Sequence, residues 1–335
     1  MLKYCLALFA LLMGTSPTFA ATPAEEVDLE AIVQAHIIPR YETLLERAEA
    51  LEQTAKNACG TNQGQVRDAY HTAFDAWIAV SHLRFGPSEQ DDRAFALAFW
   101  PDSKGFTPKT LHRLLKGDDP ALKSLEDFRH VSIAGRGFYA LDFLLYDKRF
   151  VETPARHYCD LAKLITADIT HNVEAILADW QTDYATRITE PGNDIYRDKA
   201  EAVQQIYTAL KTGLEFTAQT RLGRPMGSFK KPRPRRAEAW RSGRSLRNVQ
   251  MAIESTRELA MILSDGDADI DGRFANALKL AEDLNDPTFS TVATIQGRIR
   301  VEALQVAITQ ILEYLDVYLA QKLGIGAGFN SLDGD

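Results

Sequence analysis

Long apolar runs are absent from this chain beyond its first twenty residues, and cysteine is nearly so, with Cys5, Cys59 and Cys159 the three in 335 residues. No later stretch approaches the roughly 20 apolar residues that a membrane-crossing helix needs, so no transmembrane span is expected. Positive charge is not in excess: 38 Lys and Arg stand against 46 Asp and Glu, a net charge of −8. That balance excludes broad nucleic-acid binding, which calls for a basic surface. Histidine is sparse and lopsided. Seven occur, none beyond His171, no two are four residues apart, and there is no H-E-x-x-H. A catalytic zinc site takes three imidazole or carboxylate ligands and keeps one position open, so a zinc peptidase of standard design has little support. Also missing are a G-x-S-x-G elbow, a phosphate-binding glycine loop, a thiol metal motif, a dinucleotide fingerprint and paired alternating segments joined by a hairpin turn.

What the chain does have is helix-forming pattern. Hydrophobic residues make up 45% and charged residues 25%, the balance of a soluble globular protein with material for a sizeable core. Residues 1–20 have the layout of a cleavable signal peptide: a basic start at Lys3, an apolar run from Tyr4 to Met13, a break at Gly14 to Pro17, and small residues before a cut after Ala20. Cys5 lies too early for a lipid-modified cleavage site, so the expected product is periplasmic and not a lipoprotein. In that oxidising compartment the two remaining thiols predict one disulfide, Cys59–Cys159. Closing a loop of roughly 100 residues, it would stabilise the fold by about 4–5 kcal/mol on chain entropy.

Apolar residues step by three and four along Val66–Val80, Leu161–Trp180, Val203–Leu214 and Val301–Tyr318, each an amphipathic helical stripe. A first helix is expected from about Leu29 to Leu51 with a kink at Pro39. Phe85-Gly86-Pro87 ends one helix, and Thr189 to Asn193 separates two long helical stretches. The fold class expected is therefore all-α, as two packed helical bundles of four-helix type spanning 21–188 and 194–335, since a one-sided helix must bury its stripe against others. Residues 221–236 are the most irregular segment and carry Arg221, Arg224, Lys230, Lys231, Arg233, Arg235 and Arg236 without an intervening acid. Such a run is either a solvated loop or a patch for anionic lipid, polyanionic cell-wall material or an acidic partner.

Four local motifs, in order along nearly the whole mature chain, resemble the imelysin family of bacterial cell-envelope proteins, whose founding members are described as metallopeptidases. They are Ala76-Trp77 with Arg84-Phe85-Gly86-Pro87; Gly137 to Leu145, matching a G-x-H-x-x-E segment; Ala237 to Ser245, matching a Ser/Arg-rich segment; and the ending Gly328 to Asp335. The resemblance implies two bundles with a shared cleft and a link to iron acquisition. Gly137 is retained, whereas the motif histidine is Tyr139 here and the motif glutamate is Asp142.

Read as chemistry, Tyr139 and Asp142 are hard oxygen donors one helical turn apart, suited to ferric iron more than zinc. The other reading makes Tyr139 a hydrogen-bonded core residue, with Asp142 needing a partner such as Arg84 or Arg136. Trp77, Arg84, Glu238, Ser242 and Ser245 are further candidates for the cleft. Arg241, Arg244 and Arg247 either hold an anion or bridge the bundles through Glu238 and Glu254. Asp333 and Asp335 are additional oxygen donors. The sequence thus favours a non-enzymatic periplasmic protein binding a metal, iron first, or another small ligand in iron acquisition. The alternatives are a metallopeptidase with a variant site and an envelope-protein interaction module that uses the basic loop.

Overall fold

A computed structural model describes residues 24–152 and 157–326, and all regular structure in them is helical apart from one isolated bridge, Ser228 to Lys231. The expected leader at 1–20 and the ending at 328–335, with Asp333 and Asp335, lie outside the described residues. Eight helices carry the architecture: α1 (Ile38–Ala58), α2 (Gln63–Val80), α3 (Gly137–Tyr146), α4 (Tyr158–Asp179), α5 (Lys199–Glu215), α6 (Ser245–Ser264), α7 (Ala268–Leu284) and α8 (Ile295–Tyr314). The first four pack together, with α1 against both α2 and α4 and α3 against α2 and α4. The last four form a second group in which α7 packs on α6 and α8, and α5 closes on both α6 and α8. The two groups meet along α2 and α6.

The helices begin where short polar side chains satisfy orphan amides. Asn62 accepts from the Gln65 amide at the start of α2, Asp198 from Glu201 at α5, Asp267 from Ile270 at α7 and Thr294 from Gly297 at α8. Their apolar stripes are buried as the spacing predicts. Val66, Tyr70, Ala73, Trp77 and Val80 on α2 are all core, as are Leu161, Ile165, Ile169, Val173 and Ile176 on α4.

Two boundaries differ from the sequence reading. The first helix runs on to Ala58, and its irregularity is a π-helical turn at Val33–Ile37 that ends before Pro39. Pro39 follows that turn inside one continuous helix, so its missing N–H leaves a carbonyl of the preceding turn without its usual donor, and the π-helical irregularity lies beside that loss. Phe85-Gly86-Pro87 does not end α2 directly. α2 stops at Val80, and Gly86–Ser88 is a separate 3₁₀ turn beyond it. A disulfide joins Cys59, at the end of α1, to Cys159, at the start of α4, with Cα atoms 5.7 Å apart.

Candidate functional site at the bundle interface

The motif helix α3 begins at Gly137, whose φ is +70°. A Cβ there would stand 2.2 Å from the Leu97 carbonyl oxygen and 2.3 Å from that of Ala96. Glycine is therefore needed both for the backbone conformation and for the close approach. Two turns of α3 then bury Phe138, Tyr139, Leu141, Asp142, Leu144 and Leu145. Phe138 stacks on Phe74 and Trp77 of α2, which fixes the rotation of the helix about its axis.

That rotation directs Tyr139 at the second bundle. Its hydroxyl donates to Glu238 Oε1, and its ring packs edge-on to Phe74 and against Trp100. Glu238 is the centre of a buried network. Its Oε2 accepts from Arg221 Nε at 2.9 Å and Asn248 Nδ2 at 2.9 Å, and its main-chain oxygen accepts from Ser245 Oγ at 2.6 Å. Arg221 also donates to Thr217 Oγ1 and reaches back across the interface to Ser81 Oγ. Arg221 and Glu238 have 4% and 1% of their side chains exposed, so this ion pair is buried. Burial first, then the neighbouring Glu238 carboxylate, hold the Tyr139 phenol well above the usual tyrosine range. The phenol is protonated and acts as a donor.

Asp142 lies one turn on. Tyr70 donates to its Oδ1 at 3.3 Å. Burial pushes its carboxyl up to about 6, against the opposing pull of Ser242, Arg241 and Tyr70. The counter-ions expected from sequence are elsewhere: Arg84 is paired with Glu89 and Arg136 with Asp168. Arg241 takes their place, brought close to Asp142 while bound to Asp147. The arginines of the Ser/Arg-rich segment do bridge the bundles, but through different acids than Glu238 and Glu254. Arg241 pairs with Asp147, and both Arg244 and Arg247 pair with Asp75 of α2. Ser242 donates to the Ala239 carbonyl and serves Asp142.

Beside this network opens a cavity of about 420 Å³ whose lining includes Trp100, Asp142, Phe143 and Trp240. Six basic side chains border it against two acids, Asp102 and Asp142. The basic stretch at 221–236 is thus not a uniform loop. Arg221 is buried in the network, Arg224, Arg235 and Arg236 border the cavity, and Lys230 and Lys231 point outward as exposed residues.

The structure therefore brings Tyr139, Glu238 and Ser245 into one network, with Asp142 and Ser242 next to it. Trp77 supports α3 from behind through Phe138, and Arg84 is engaged in a pair of its own with Glu89. Arg221, Asn248 and Trp100 were not singled out by sequence reasoning as partners of the motif. The signal for Arg221 was present in the basic stretch, but nothing local marks one arginine of seven as buried. The oxygen donors at Tyr139 do not fit a resident cation. Glu238 already faces the buried Arg221 guanidinium, which supplies the positive charge a metal would bring, and Asp142 engages different partners. No cluster of three or more His, Cys, Asp or Glu suited to a metal occurs among the described residues.

The sequence profile of the imelysin family, peptidase M75, matches residues 37–315. Iron-regulated protein A of Synechococcus elongatus is 21% identical over 318 residues, covering 86% of this chain and 84% of that relative. Among solved structures, an imelysin-like protein from Psychrobacter arcticum aligns with a TM-score of 0.76 at 17% identity, over 90% of this chain and 96% of its own. A protein from Parabacteroides distasonis, described as an iron-regulated protein A precursor, aligns with a TM-score of 0.69 at 14% identity, over 93% and 97%.

Proposed function

Because the chain belongs to the imelysin family, we propose that it is an exported periplasmic protein that binds a ligand in the cleft between its bundles, in the service of iron acquisition and without hydrolysing peptides. The observation that carries this reading is the network around Glu238. Peptide hydrolysis by a metal needs a bound water with an open coordination position and a base beside it. Here the motif imidazole is replaced by a protonated phenol, and the carboxylate it meets is neutralised by a buried arginine. Such a network holds the two bundles in register and shapes the cleft. The iron link is supported by relatives named as iron-regulated proteins, and the exported location by the signal-peptide layout of residues 1–20.

Two measurements test the reading. Purified mature protein supplied with zinc or ferrous iron should leave insulin intact. Metal-dependent cleavage that vanishes in Asp142→Ala would establish the variant peptidase instead. A strain lacking the protein should take up less radioactive iron under iron limitation, and unchanged uptake would remove the iron link.

A further inference from the structure

We propose that the cavity bordered by the basic segment is a binding site for a small oxyanion carrying two or more negative charges, a polycarboxylate or a pyrophosphate-type group. Four of its cations, Lys104, Arg224, Arg235 and Arg236, have no carboxylate partner among the described residues. The acids nearby are committed. Asp142 is held by Tyr70 and Ser242, Asp102 accepts the Phe106 and Thr107 amides, and Asp147 is shared by Arg149 and Arg241. Gathering like charges around one cavity is costly unless something of opposite sign offsets them.

The arginines are also held in place. Arg224 lies over the Trp100 ring at 5.8 Å and Arg235 over Trp240 at 5.8 Å. A guanidinium stacked by its face keeps its in-plane N–H donors for a ligand. Arg224 Nε is buried with no hydrogen-bond partner, an omission that an arriving acceptor would repair. Burial and the neighbouring Arg236 lower the Arg224 guanidinium from its ordinary value, and an anion between the two would reverse that push. The volume of about 420 Å³ falls in the range of small-molecule sites. Guanidinium forks match carboxylate and phosphate oxygens alike, which is why the shared chemistry is a multiply charged oxyanion.

This deepens the reading of the cleft as a ligand site, yet its test is independent of iron. Calorimetric titration of the mature protein with citrate, pyrophosphate and acetate, at fixed ionic strength, should show one-to-one binding of citrate or pyrophosphate and none of acetate. Arg224→Gln/Arg236→Gln should weaken that binding by at least about tenfold, the loss of one or two charge-assisted hydrogen bonds. Arg235→Gln/Arg236→Gln, both exposed residues, gives the same answer should the first variant fold poorly. Lys230→Gln/Lys231→Gln removes equal charge outside the cavity and should bind as wild type does. Binding of citrate alone or pyrophosphate alone identifies the source and supports the site. Failure of both to bind, or an equal loss in the Lys230/Lys231 variant, would overturn it. Oxyanion binding with unchanged iron uptake would remove the iron reading and leave this one standing, and the converse holds.

Discussion

Glu238 shows how one side chain holds two bundles to one another. Tyr139 from the first bundle and Arg221 and Asn248 from the second converge on its two carboxylate oxygens. Removing one partner of a buried ion pair leaves the other uncompensated, at about 3–5 kcal/mol. Glu238→Gln should therefore lose that much in urea unfolding, whereas Tyr139→Phe, which removes a single donor, should lose about 1–3 kcal/mol. Equal, small losses would mean that the pair is not buried in solution. Asp142 obeys the opposite sign of pH dependence from an ordinary paired carboxylate. Its folded value, about 6, lies above the ordinary aspartate value of 3.8, so the folded state holds the proton more tightly. Its contribution is fully present below pH 3.8 and is lost as pH rises through 6. Asp142→Asn escapes that loss, so its stability relative to wild type should improve between pH 4 and pH 7 by on the order of 2–3 kcal/mol. Unfolding curves at the two pH values check this, and no change would show that the carboxyl is hydrated.

Among the elements, α3 was legible in sequence and its surroundings were not. Taken as helix, the segment puts Tyr139 and Asp142 one turn apart on one face, and α3 spans Gly137–Tyr146. The partners could not be read because they come from 99 residues along the chain in the case of Glu238, and from 72 residues before Asp142 in the case of Tyr70. Local periodicity carries no information at that range. The π-helical turns were equally invisible: Phe216–Leu222, which continues α5 and carries Arg221, has the same composition as ordinary helix. The turn at Val33–Ile37 carries a further consequence, since it places His36 against His82, Nε2 to Nε2 at 2.9 Å, with both rings buried. One ring must donate and the other accept, so the accepting ring at least must be neutral. Burial, first, lowers both; His36 is pushed down further by His82 and Arg40, and His82 is brought to about 3, with Arg40 and Arg221 adding to the push. Both values are depressed, so stability is complete above pH 6.5 and declines as pH falls below it, toward about 3 for His82. The acid limb should steepen by up to about 1.4 kcal/mol per pH unit for each histidine. His82→Gln keeps a hydrogen-bonding amide and should flatten the limb by about one proton; an unchanged slope would place the sensitivity elsewhere.

At the scale of the whole molecule, the all-α class and the two groups of helices were read from stripes and breaks, because amphipathic periodicity is a local property that survives into the fold. The contact between the groups was harder to read because its specific links are polar, although one hydrophobic core runs through both groups. Besides the Glu238 network it includes Asp75 with Arg244 and Arg247, Ser255 donating to the Ala79 carbonyl, and Arg40 with Glu258. Polar interface residues look in sequence like any solvated helix face. The buried part of that contact, the Arg221–Glu238 pair and its hydrogen bonds, is costly to break one partner at a time, which couples the unfolding of the two bundles. The Cys59–Cys159 disulfide tests that coupling, since it lies wholly in the first bundle, between α1 and α4, and spans 100 residues of sequence. Opening it restores the entropy of a long loop to the unfolded chain, about 4–5 kcal/mol on the chain-entropy account. Cys59→Ser/Cys159→Ser should lose that free energy of unfolding, lowering the urea midpoint in proportion, while the unfolding remains a single transition. The probes can be separated: Trp77 and Trp180 are buried in the first bundle, and Trp240 lies in the second, just before α6. If fluorescence from Trp240 in a variant lacking the other tryptophans keeps the wild-type midpoint while far-ultraviolet ellipticity shifts in two steps, the bundles unfold separately. If both move together, destabilisation of the first bundle is felt throughout the second, and the interface is what transmits it.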